Sequence, residues 1–289
     1  MAVAQTVTRS SEIARLQEIA ARLRIDIIEM LAKAGSGHPG GSLSAIDILT
    51  CLYFSRMRYD PKRPDWPERD RFILSKGHAV PALYAVMAEA GYFPRQELMT
   101  LRRLNSRLQG HPVSTALPGI EACTGALGQG LSVAQGMAIA SQLGGGKFHV
   151  YCMIGDGESQ EGQIWEAGMS APKFKLDTLT VILDNNNGQI DGHVTEVMNL
   201  DPIDAKWRAF NWNVLSIDGH NYDQILDALA KAGETRGRPT LIWARTIKGK
   251  GVSFMENDVA WHGTAPNPEQ AERALAELRA QYSRLVGGR

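Results

Sequence analysis

Two short apolar runs near the middle of the chain are each followed by polar residues. Residues 150–154 precede Gly155-Asp156-Gly157, and residues 179–183 precede Asp184-Asn185-Asn186. Runs this short, bounded by glycine or polar residues, are typical of buried strands. Because parallel sheets bind ligands at the carboxyl ends of their strands, the pattern predicts an α/β fold with a functional site at that edge.

Segments with helical spacing of apolar residues, and further short runs, surround these two strands. Helices are predicted over residues 10–33, 44–54, 81–91, 128–143, 161–171, 222–232 and 267–286, and strands over 71–75, 212–217 and 239–245. The second helix is expected to begin near Ser44, whose hydroxyl can cap it. The prediction is a mostly parallel sheet with helices on both faces, as one domain spanning residues 1–289.

Charge and composition narrow the class of protein. Acidic and basic residues balance at 31 each, so neither nucleic acid nor an anionic membrane is expected as a partner. The longest apolar runs are strand-sized, and no signal peptide is expected. The cysteines, Cys51, Cys123 and Cys152, have no CxxC spacing and are interpreted as reduced core thiols of a cytoplasmic protein.

The residue types at the two strand ends suggest a metal site. The glycines beside Asp156 allow a sharp turn close to a ligand. A carboxylate and a carboxamide are too few ligands for a closed calcium cage, but they suit magnesium that shares its coordination with a diphosphate. The start of the helix near residue 161 can offer amide groups to the same anion. The alternative is that the Asp and the Asn only cap turns.

The spacing of these residues resembles a known family. GDG followed thirty positions later by NN is similar to the thiamine diphosphate fingerprint, and GDGxxxEG…DNNxxxIDGH resembles the transketolases. The resemblance implies thiamine diphosphate and Mg²⁺, or another divalent cation such as Ca²⁺ or Mn²⁺, as cofactors. It assigns the metal to Asp156, Asn186 and the carbonyl of Gly188, with Asn185 as the alternative to Asn186.

Four histidines lie in settings that also resemble this family. His38 lies in SGHPGG, His78 in SKGHA, His111 in QGHP and His262 in WHG. His38 could instead be a loop histidine bonded to the backbone. The resemblance implies that all four are catalytic, together with Glu161, which is expected near an interface between chains. The implied cofactor-binding positions are His78, Gly125, Ala126, Leu127, Gly155, Asp156, Gly157 and Asn186.

Several other polar residues are interpreted as structural or solvated. Lys76 is expected to be a solvated lysine, and Lys248 and Lys250 can be solvated charges, although their glycine-rich loop could fold over an anion. His193 is expected to be structural. The Asp218-Gly219-His220 tripeptide is interpreted as a turn capped by its aspartate.

The resemblance covers residues 10–266 and implies that this chain supplies one half of an enzyme built from two kinds of chain. Transketolases carry a pyrimidine-binding and a C-terminal domain, which are expected here on a separate partner chain, with two of each chain in a heterotetramer. The expected reaction of carbohydrate metabolism transfers a two-carbon ketol unit between sugar phosphates. Histidines suit its proton transfers because their pKa lies near neutrality.

Other functions remain open at this stage. A related thiamine enzyme, such as 1-deoxyxylulose-5-phosphate synthase or an E1 decarboxylase subunit, fits the run of histidine motifs less well. A transketolase for a branched or sulfonated sugar phosphate stays open. A non-catalytic subunit is disfavoured by the intact site, and a Rossmann oxidoreductase by the lack of GxGxxG after an early strand.

Overall fold

A computed structural model describes residues 8–287 of the chain. Its strands are β1 (Arg71–Leu74), β2 (Val150–Gly155), β3 (Leu179–Asn185), β4 (Gly188–Gln189), β5 (Gly192–His193), β6 (Asn213–Asp218) and β7 (Thr240–Arg245). Five of them form a parallel sheet in the order β1-β2-β3-β7-β6. The two shortest, β4 and β5, pair as an antiparallel hairpin.

The helices surround this sheet. They are α1 (Arg9–Ala34), α2 (Pro39–Cys51), α3 (Val80–Glu89), α4 (Gln129–Leu143), α5 (Gly162–Lys173), α6 (Val194–Val197), α7 (Ile203–Ala209), α8 (Tyr222–Glu234) and α9 (Pro268–Gly287). A π-helical turn, Leu52–Arg56, extends α2. Short 3₁₀ turns precede α3 and α5.

Both faces of the sheet are buried. Consecutive strand residues point to opposite faces, so Tyr151 and Met153 of β2 join a core with α1, α2, α3, α8 and α9. Val150, Cys152 and Ile154 join a second core with α4, α5 and α7. The near-continuous apolar runs seen in the sequence follow from this double burial, and the predicted α/β class is confirmed.

The start of α2 differs from the prediction. The helix begins at Pro39, because proline fits the first helical position, where no backbone N–H is needed. Gly40 lies in the first turn, and a Cβ there would lie 2.9 Å from the carbonyl oxygen of Trp261. The predicted cap by Ser44 is wrong, since its hydroxyl lies inside the helix and donates to Asp184 at 2.6 Å.

Some small features were not predicted. The β4–β5 hairpin and α6 are too short to leave a periodic pattern, and α7 was missed although its Trp207 is buried in the second core.

All three cysteines are free, but Cys123 is exposed, so its interpretation as a core thiol is wrong. Within residues 8–287, no helix is both long and apolar enough to cross a membrane.

Candidate active site

Four loops meet at the carboxyl edge of the sheet. They follow β1, β2, β3 and β7 and carry His78, Asp156, Asn186 and Lys248, respectively. The strands end in register, with Gly155 opposite Asp184, so these loops leave the sheet side by side. All four side chains line one cavity of about 360 Å³. The structure therefore has a pocket at the sheet edge where the sequence predicts the functional site.

The four predicted histidines come together beside this cavity. The ring centroid of His38 lies 5.2 Å from that of His78, 6.4 Å from that of His111 and 5.7 Å from that of His262. The rings of His78 and His262 stack at 5.0 Å. Because these residues are separated by more than two hundred positions in the chain, only the fold creates the cluster.

The surroundings hold these histidines in the neutral form. Burial lowers the pKa of His38 to about 4, and Arg102, His111 and Lys248 add to the effect. Burial and Lys248 lower the pKa of His262 to about 3. The pKa of His78 also lies well below its usual value, mainly because of burial. Neutral imidazoles both donate and accept hydrogen bonds, which suits contacts with sugar hydroxyls.

Asp156, Asn186 and Gly188 present oxygens to the cavity. The carboxylate of Asp156 accepts a hydrogen bond from the backbone N–H of Gly157 at 2.8 Å. Asn186 Oδ1 accepts one from the N–H of Gly188 at 3.0 Å. Burial and the neighbouring Asp184 raise the pKa of Asp156 to about 6. A cation in the cavity would relieve this repulsion.

The structure separates the two neighbouring asparagines. Asn185 is the last residue of β3, and its Oδ1 accepts a hydrogen bond from Trp243 Nε1 at 2.9 Å. Asn186 lines the cavity, whereas Asn185 does not. Asn185 still belongs to the strand, whereas Asn186 is the first residue of the loop at the carboxyl edge. The geometry therefore favours Asn186 over Asn185 as a ligand.

The oxygens present fit a hard divalent cation. In residues 8–287, no group of three or more His, Cys, Asp or Glu side chains could hold a metal. A site here must therefore combine one carboxylate with amide and carbonyl oxygens, a set that magnesium shares readily with phosphate oxygens. Asn186 Oδ1 accepts one hydrogen bond, which leaves a second lone pair free, whereas the Gly188 carbonyl accepts from Lys248 and also interacts with His262.

Two lysines are buried in this site, which the sequence did not predict. Lys76 is 1% exposed and forms an ion pair with Asp184, so its interpretation as a solvated lysine is wrong. Lys248 is 2% exposed, and its Nζ donates to the carbonyl of Gly188 and to His262 Nδ1, both at 3.0 Å. Burial and Lys76 lower the pKa of Lys248 to about 8. Lys250 is partly exposed and pairs with Glu256.

Glu158 is a further residue that the sequence patterns did not single out. It is buried and accepts hydrogen bonds from the backbone N–H groups of Gly128, at 2.9 Å, and Gly155, at 3.0 Å. It also accepts one from Ser75. Glu158 thereby ties the loop after β2 to the start of α4 and to the end of β1. Glu158 directly follows GDG in the GDGxxxEG string, and this position was the available signal in the sequence that it belongs to the site.

The remaining predicted residues lie around the rim. Leu127 and Glu161 line the cavity, as do Gly155 and Gly157. Glu161 is exposed at the N-terminal end of α5. A Cβ on Gly125 would lie 3.3 Å from the ring of His111, so this loop packs against the histidine cluster. Ala126 is exposed beside them.

Two predicted structural histidines lie outside the cavity. His193 Nδ1 lies 3.2 Å from the carbonyl oxygen of Asn187. In the tripeptide after β6, the backbone N–H of His220 donates to Asp218 at 2.9 Å, as predicted. A larger cavity of about 580 Å³ lies at the amino edge of the sheet and contains none of the predicted site residues.

Comparison with protein families identifies one match over most of the chain. Residues 15–283 match the family described as transketolase, thiamine diphosphate binding domain. The 6-deoxy-6-sulfo-D-fructose transketolase subunit SqwG of Clostridium sp. (strain MSTE9) is 48% identical over 92% of this chain and 97% of its own length. An apulose-4-phosphate transketolase subunit of Phocaeicola vulgatus is 42% identical over 90% of this chain and 92% of its own.

Longer transketolases match as well. The transketolase of Homo sapiens is 41% identical over 92% of this chain, which corresponds to 42% of that protein. Among solved structures, the transketolase of Campylobacter jejuni superposes with a TM-score of 0.85 and 35% identity. That superposition covers 93% of this chain and 45% of the other.

Proposed function

The chain belongs to the family of transketolase thiamine diphosphate-binding domains, and we propose that it is the N-terminal subunit of a split transketolase. With a separate C-terminal chain, it transfers a two-carbon ketol unit from a ketose phosphate to an aldose phosphate. One observation carries the proposal. His78, His262, an oxygen set and two buried lysines line a single cavity at the carboxyl edge of the sheet, and His38 and His111 lie beside those two histidines.

The oxygen set and the lysines are proposed to hold the cofactor. Asp156, Asn186 and the Gly188 carbonyl would bind Mg²⁺, and Ca²⁺ or Mn²⁺ would suit the same oxygens. Lys76 and Lys248 supply positive charge to the diphosphate side of the cavity. Thiamine diphosphate, when bound, supplies the electron sink for breaking and forming carbon–carbon bonds. The loop of Gly125, Ala126 and Leu127 is proposed to lie against its aminopyrimidine ring.

The histidine cluster is proposed to bind the sugar and to move its hydroxyl protons. Lys248 donates to His262 Nδ1, so the ring hydrogen of His262 lies on Nε2. His262 can therefore donate from Nε2 to a sugar oxygen. His38 and His78 lie within 6 Å of this ring, close enough for contacts with adjacent hydroxyls of one substrate.

The proposed assembly contains a second kind of chain. The two relatives of similar length are named as transketolase subunits, whereas the human transketolase is more than twice as long as the matched region. We therefore propose a single thiamine diphosphate-binding domain over residues 1–289, a partner that carries the pyrimidine-binding and C-terminal domains, and two of each chain. Glu161 is exposed at the rim of the cavity, which is compatible with its proposed position at an interface. A cytoplasmic location is part of this proposal.

A branched or sulfonated ketose is a specific second candidate for the substrate. Relatives named for 6-deoxy-6-sulfo-D-fructose and for apulose 4-phosphate match nearly the full chain. The chemistry at the cavity is the same for either class of sugar, since the histidines contact hydroxyls near the reacting carbonyl. The distinguishing contacts are expected at the far end of the sugar, partly on the partner chain.

The deciding experiment combines binding and turnover. Calorimetry with thiamine diphosphate and Mg²⁺ is followed by a transfer assay on xylulose 5-phosphate, 6-deoxy-6-sulfofructose and apulose 4-phosphate, with and without the partner. We expect turnover only with the partner. Asp156→Asn should abolish it, and Asp204→Asn, on α7 and outside the cavity, should not. Full turnover by the purified chain alone would overturn the split-enzyme proposal. Cofactor binding without turnover of any ketose would favour a non-catalytic role.

A further inference from the structure

The tripeptide Asp218-Gly219-His220 does more than form a turn. His220 Nε2 accepts a hydrogen bond from the backbone N–H of Ile247 at 2.9 Å. An accepting nitrogen carries no hydrogen, so the ring hydrogen lies on Nδ1. From there it donates to Asp47 Oδ2, 2.8 Å away. His220 thus connects a buried carboxylate on α2 to the loop that follows β7.

Asp47 is held by three side chains at once. Arg24 of α1 donates to its two oxygens at 2.9 and 2.6 Å, and the hydroxyl of Tyr222 donates at 2.5 Å. Despite its burial, the adjacent Arg24 guanidinium and His220 keep the pKa of Asp47 well below its usual range. We call Arg24, Asp47, His220 and Tyr222 the Asp47 network. Because its charges are paired and its hydrogen bonds satisfied, the network is rigid.

The Asp47 network holds both sides of the 246–251 loop. His220 accepts from the N–H of Ile247, and Arg24 Nε donates to the carbonyl of Lys250 at 3.2 Å. Between these points, the N–H of Gly249 donates to the carbonyl of Gly40 at 3.0 Å. The residue enclosed by these contacts is Lys248, whose Nζ lies in the cofactor cavity.

None of the four residues of the Asp47 network lines that cavity. An effect of the network on the site must therefore pass through the loop. A lysine side chain has four rotatable bonds, so the location of its ammonium group depends on how firmly its backbone is fixed. A loop fixed on both sides presents Lys248 to a diphosphate with little loss of freedom on binding.

We propose that His220 and Asp47 are positioning residues that hold the 246–251 loop so that Lys248 points into the cofactor site. This inference rests on the proposed function, since Lys248 is taken to face the diphosphate. It assigns a role to the DGH tripeptide that is separate from the histidine cluster. His220 acts through a backbone hydrogen bond and does not touch substrate or cofactor.

The test uses three variants of the full chain. His220→Ala removes both hydrogen bonds of the ring. His220→Gln keeps an oxygen near the position of Nε2, so it should still accept from Ile247. His149→Ala is the matched control, because His149 is a largely buried histidine near the amino edge of the sheet, bonded to Thr180 at 2.8 Å. Circular dichroism confirms that each variant is folded.

The first readout is hydrogen exchange of the backbone amides, which needs no cofactor. We expect exchange in peptides spanning 246–251 to become at least about tenfold faster in His220→Ala, because the amide of Ile247 loses its acceptor. His220→Gln should restore most of the protection, and His149→Ala should leave these peptides unchanged. Unchanged exchange in folded His220→Ala would overturn the positioning role. If His220→Ala does not fold, His220→Leu replaces it, because leucine keeps the bulk of the side chain but cannot accept a hydrogen bond from Ile247. Faster exchange in peptides 246–251 would again support the positioning role, and unchanged exchange would overturn it.

The second readout is the dissociation constant for thiamine diphosphate with Mg²⁺, measured with the partner chain present. Loss of an outer partner that orients a metal ligand typically weakens metal binding about 10- to 100-fold, and the same range is taken here for a residue that orients Lys248. We expect a change of that size in His220→Ala, partial recovery in His220→Gln and none in His149→Ala. Faster loop exchange with unaltered affinity would contradict the role in cofactor binding. A wild-type chain that binds no cofactor would instead overturn the proposed function, while the exchange data still decide whether the network holds the loop.

Discussion

At the scale of single residues, two lysines with the same charge have opposite environments. Lys76 is 1% exposed and pairs with Asp184, which is itself 0% exposed. Lys250 is partly exposed and pairs with Glu256 at 3.3 Å. Burial would raise the pKa of Asp184, but Lys76, with hydrogen bonds from Ser44 and Thr246, outweighs it, and the pKa lies below its usual value. The buried carboxylate therefore depends on its lysine.

This contrast predicts different costs for the same substitution. Lys76→Met leaves the carboxylate of Asp184 buried without a cation, which typically costs about 3–5 kcal/mol of unfolding free energy. Lys250→Met removes only a surface pair and should cost about 0–1 kcal/mol. Urea denaturation of both variants measures the difference. Equal losses would mean that Asp184 does not rely on Lys76.

The same residues show what the sequence could not reveal. Asp156 and the Asn185-Asn186 pair were found because each follows an apolar run, a purely local pattern, and the family resemblance chose Asn186 from the pair. Lys76 and Asp184 lie 108 positions apart, and nothing near either residue signals their pairing. The burial of Lys248 likewise depends on Gly188 and His262, which approach only in the folded chain. Local patterns thus identified the proposed ligands at the strand ends but not the buried charge pairs.

At the scale of elements, the central strands β2 and β3 were predicted best, because burial on both faces gives each of them a continuous apolar run. The helix α2 was placed too late because its first turn contains Gly40 and Gly41, which normally disfavour helix. Tertiary packing overrides that propensity, since Gly40 lies against the segment before His262 and no larger side chain fits. Glycines in such positions reflect close contacts that a sequence pattern does not reveal.

Two loop glycines allow a test of the claim that glycine is needed where the backbone makes a close contact. Gly249 and Gly237 both have left-handed backbones, with φ of 76° and 73°. A Cβ on Gly249 would lie 2.2 Å from the carbonyl oxygen of Met255, whereas a Cβ on Gly237 would have no atom within 4 Å. Both substitutions to alanine carry the left-handed cost of about 1–2 kcal/mol. Gly249→Ala should lose about 1–3 kcal/mol more, because the backbone must shift.

Urea midpoints of the two alanine variants give this comparison directly. Gly249→Ala should also weaken cofactor binding, since the N–H of Gly249 anchors the 246–251 loop to Gly40. Gly237→Ala, which lies just after α8, should bind the cofactor like wild type. Similar midpoints for both variants would show that the loop relaxes freely around Met255, contrary to the rigid arrangement described above.

At the scale of the whole molecule, the chemistry lies at one edge of the sheet. The histidine cluster, the oxygen set and both buried lysines lie at the carboxyl ends of the strands, as expected for an open parallel sheet. The α/β class followed from the apolar pattern alone. The convergence of the four histidines did not, because it depends on loops of irregular structure around His38, His111 and His262.

Charge in this edge cavity makes the stability of the chain dependent on its ligands. Burial and, after it, repulsion from the neighbouring Asp184 raise the pKa of Asp156 to about 6. A diphosphate alone adds negative charge, and Mg²⁺ alone lacks the phosphate oxygens that complete its coordination. Thiamine diphosphate and Mg²⁺ should therefore stabilise the folded chain together much more than separately.

Mass action gives the expected size of this effect. A ligand at about 100 times its dissociation constant stabilises the native state by about 2.7 kcal/mol. For a chain of this size, that corresponds to a rise in thermal midpoint of roughly 4–6 °C. EDTA should remove most of the rise, and unphosphorylated thiamine with Mg²⁺ should give little, because it has no diphosphate to bridge to the metal.

The Asp156→Asn variant links the thermal shift to the proposed metal site. Its cofactor-free form should be at least as stable as wild type, because the substitution removes a buried carboxylate that is repelled by Asp184. Its shift with thiamine diphosphate and Mg²⁺ should nevertheless be small, since the metal loses its only carboxylate ligand. A full shift that persists in this variant, or in EDTA, would mean that the cofactor binds without the metal at Asp156.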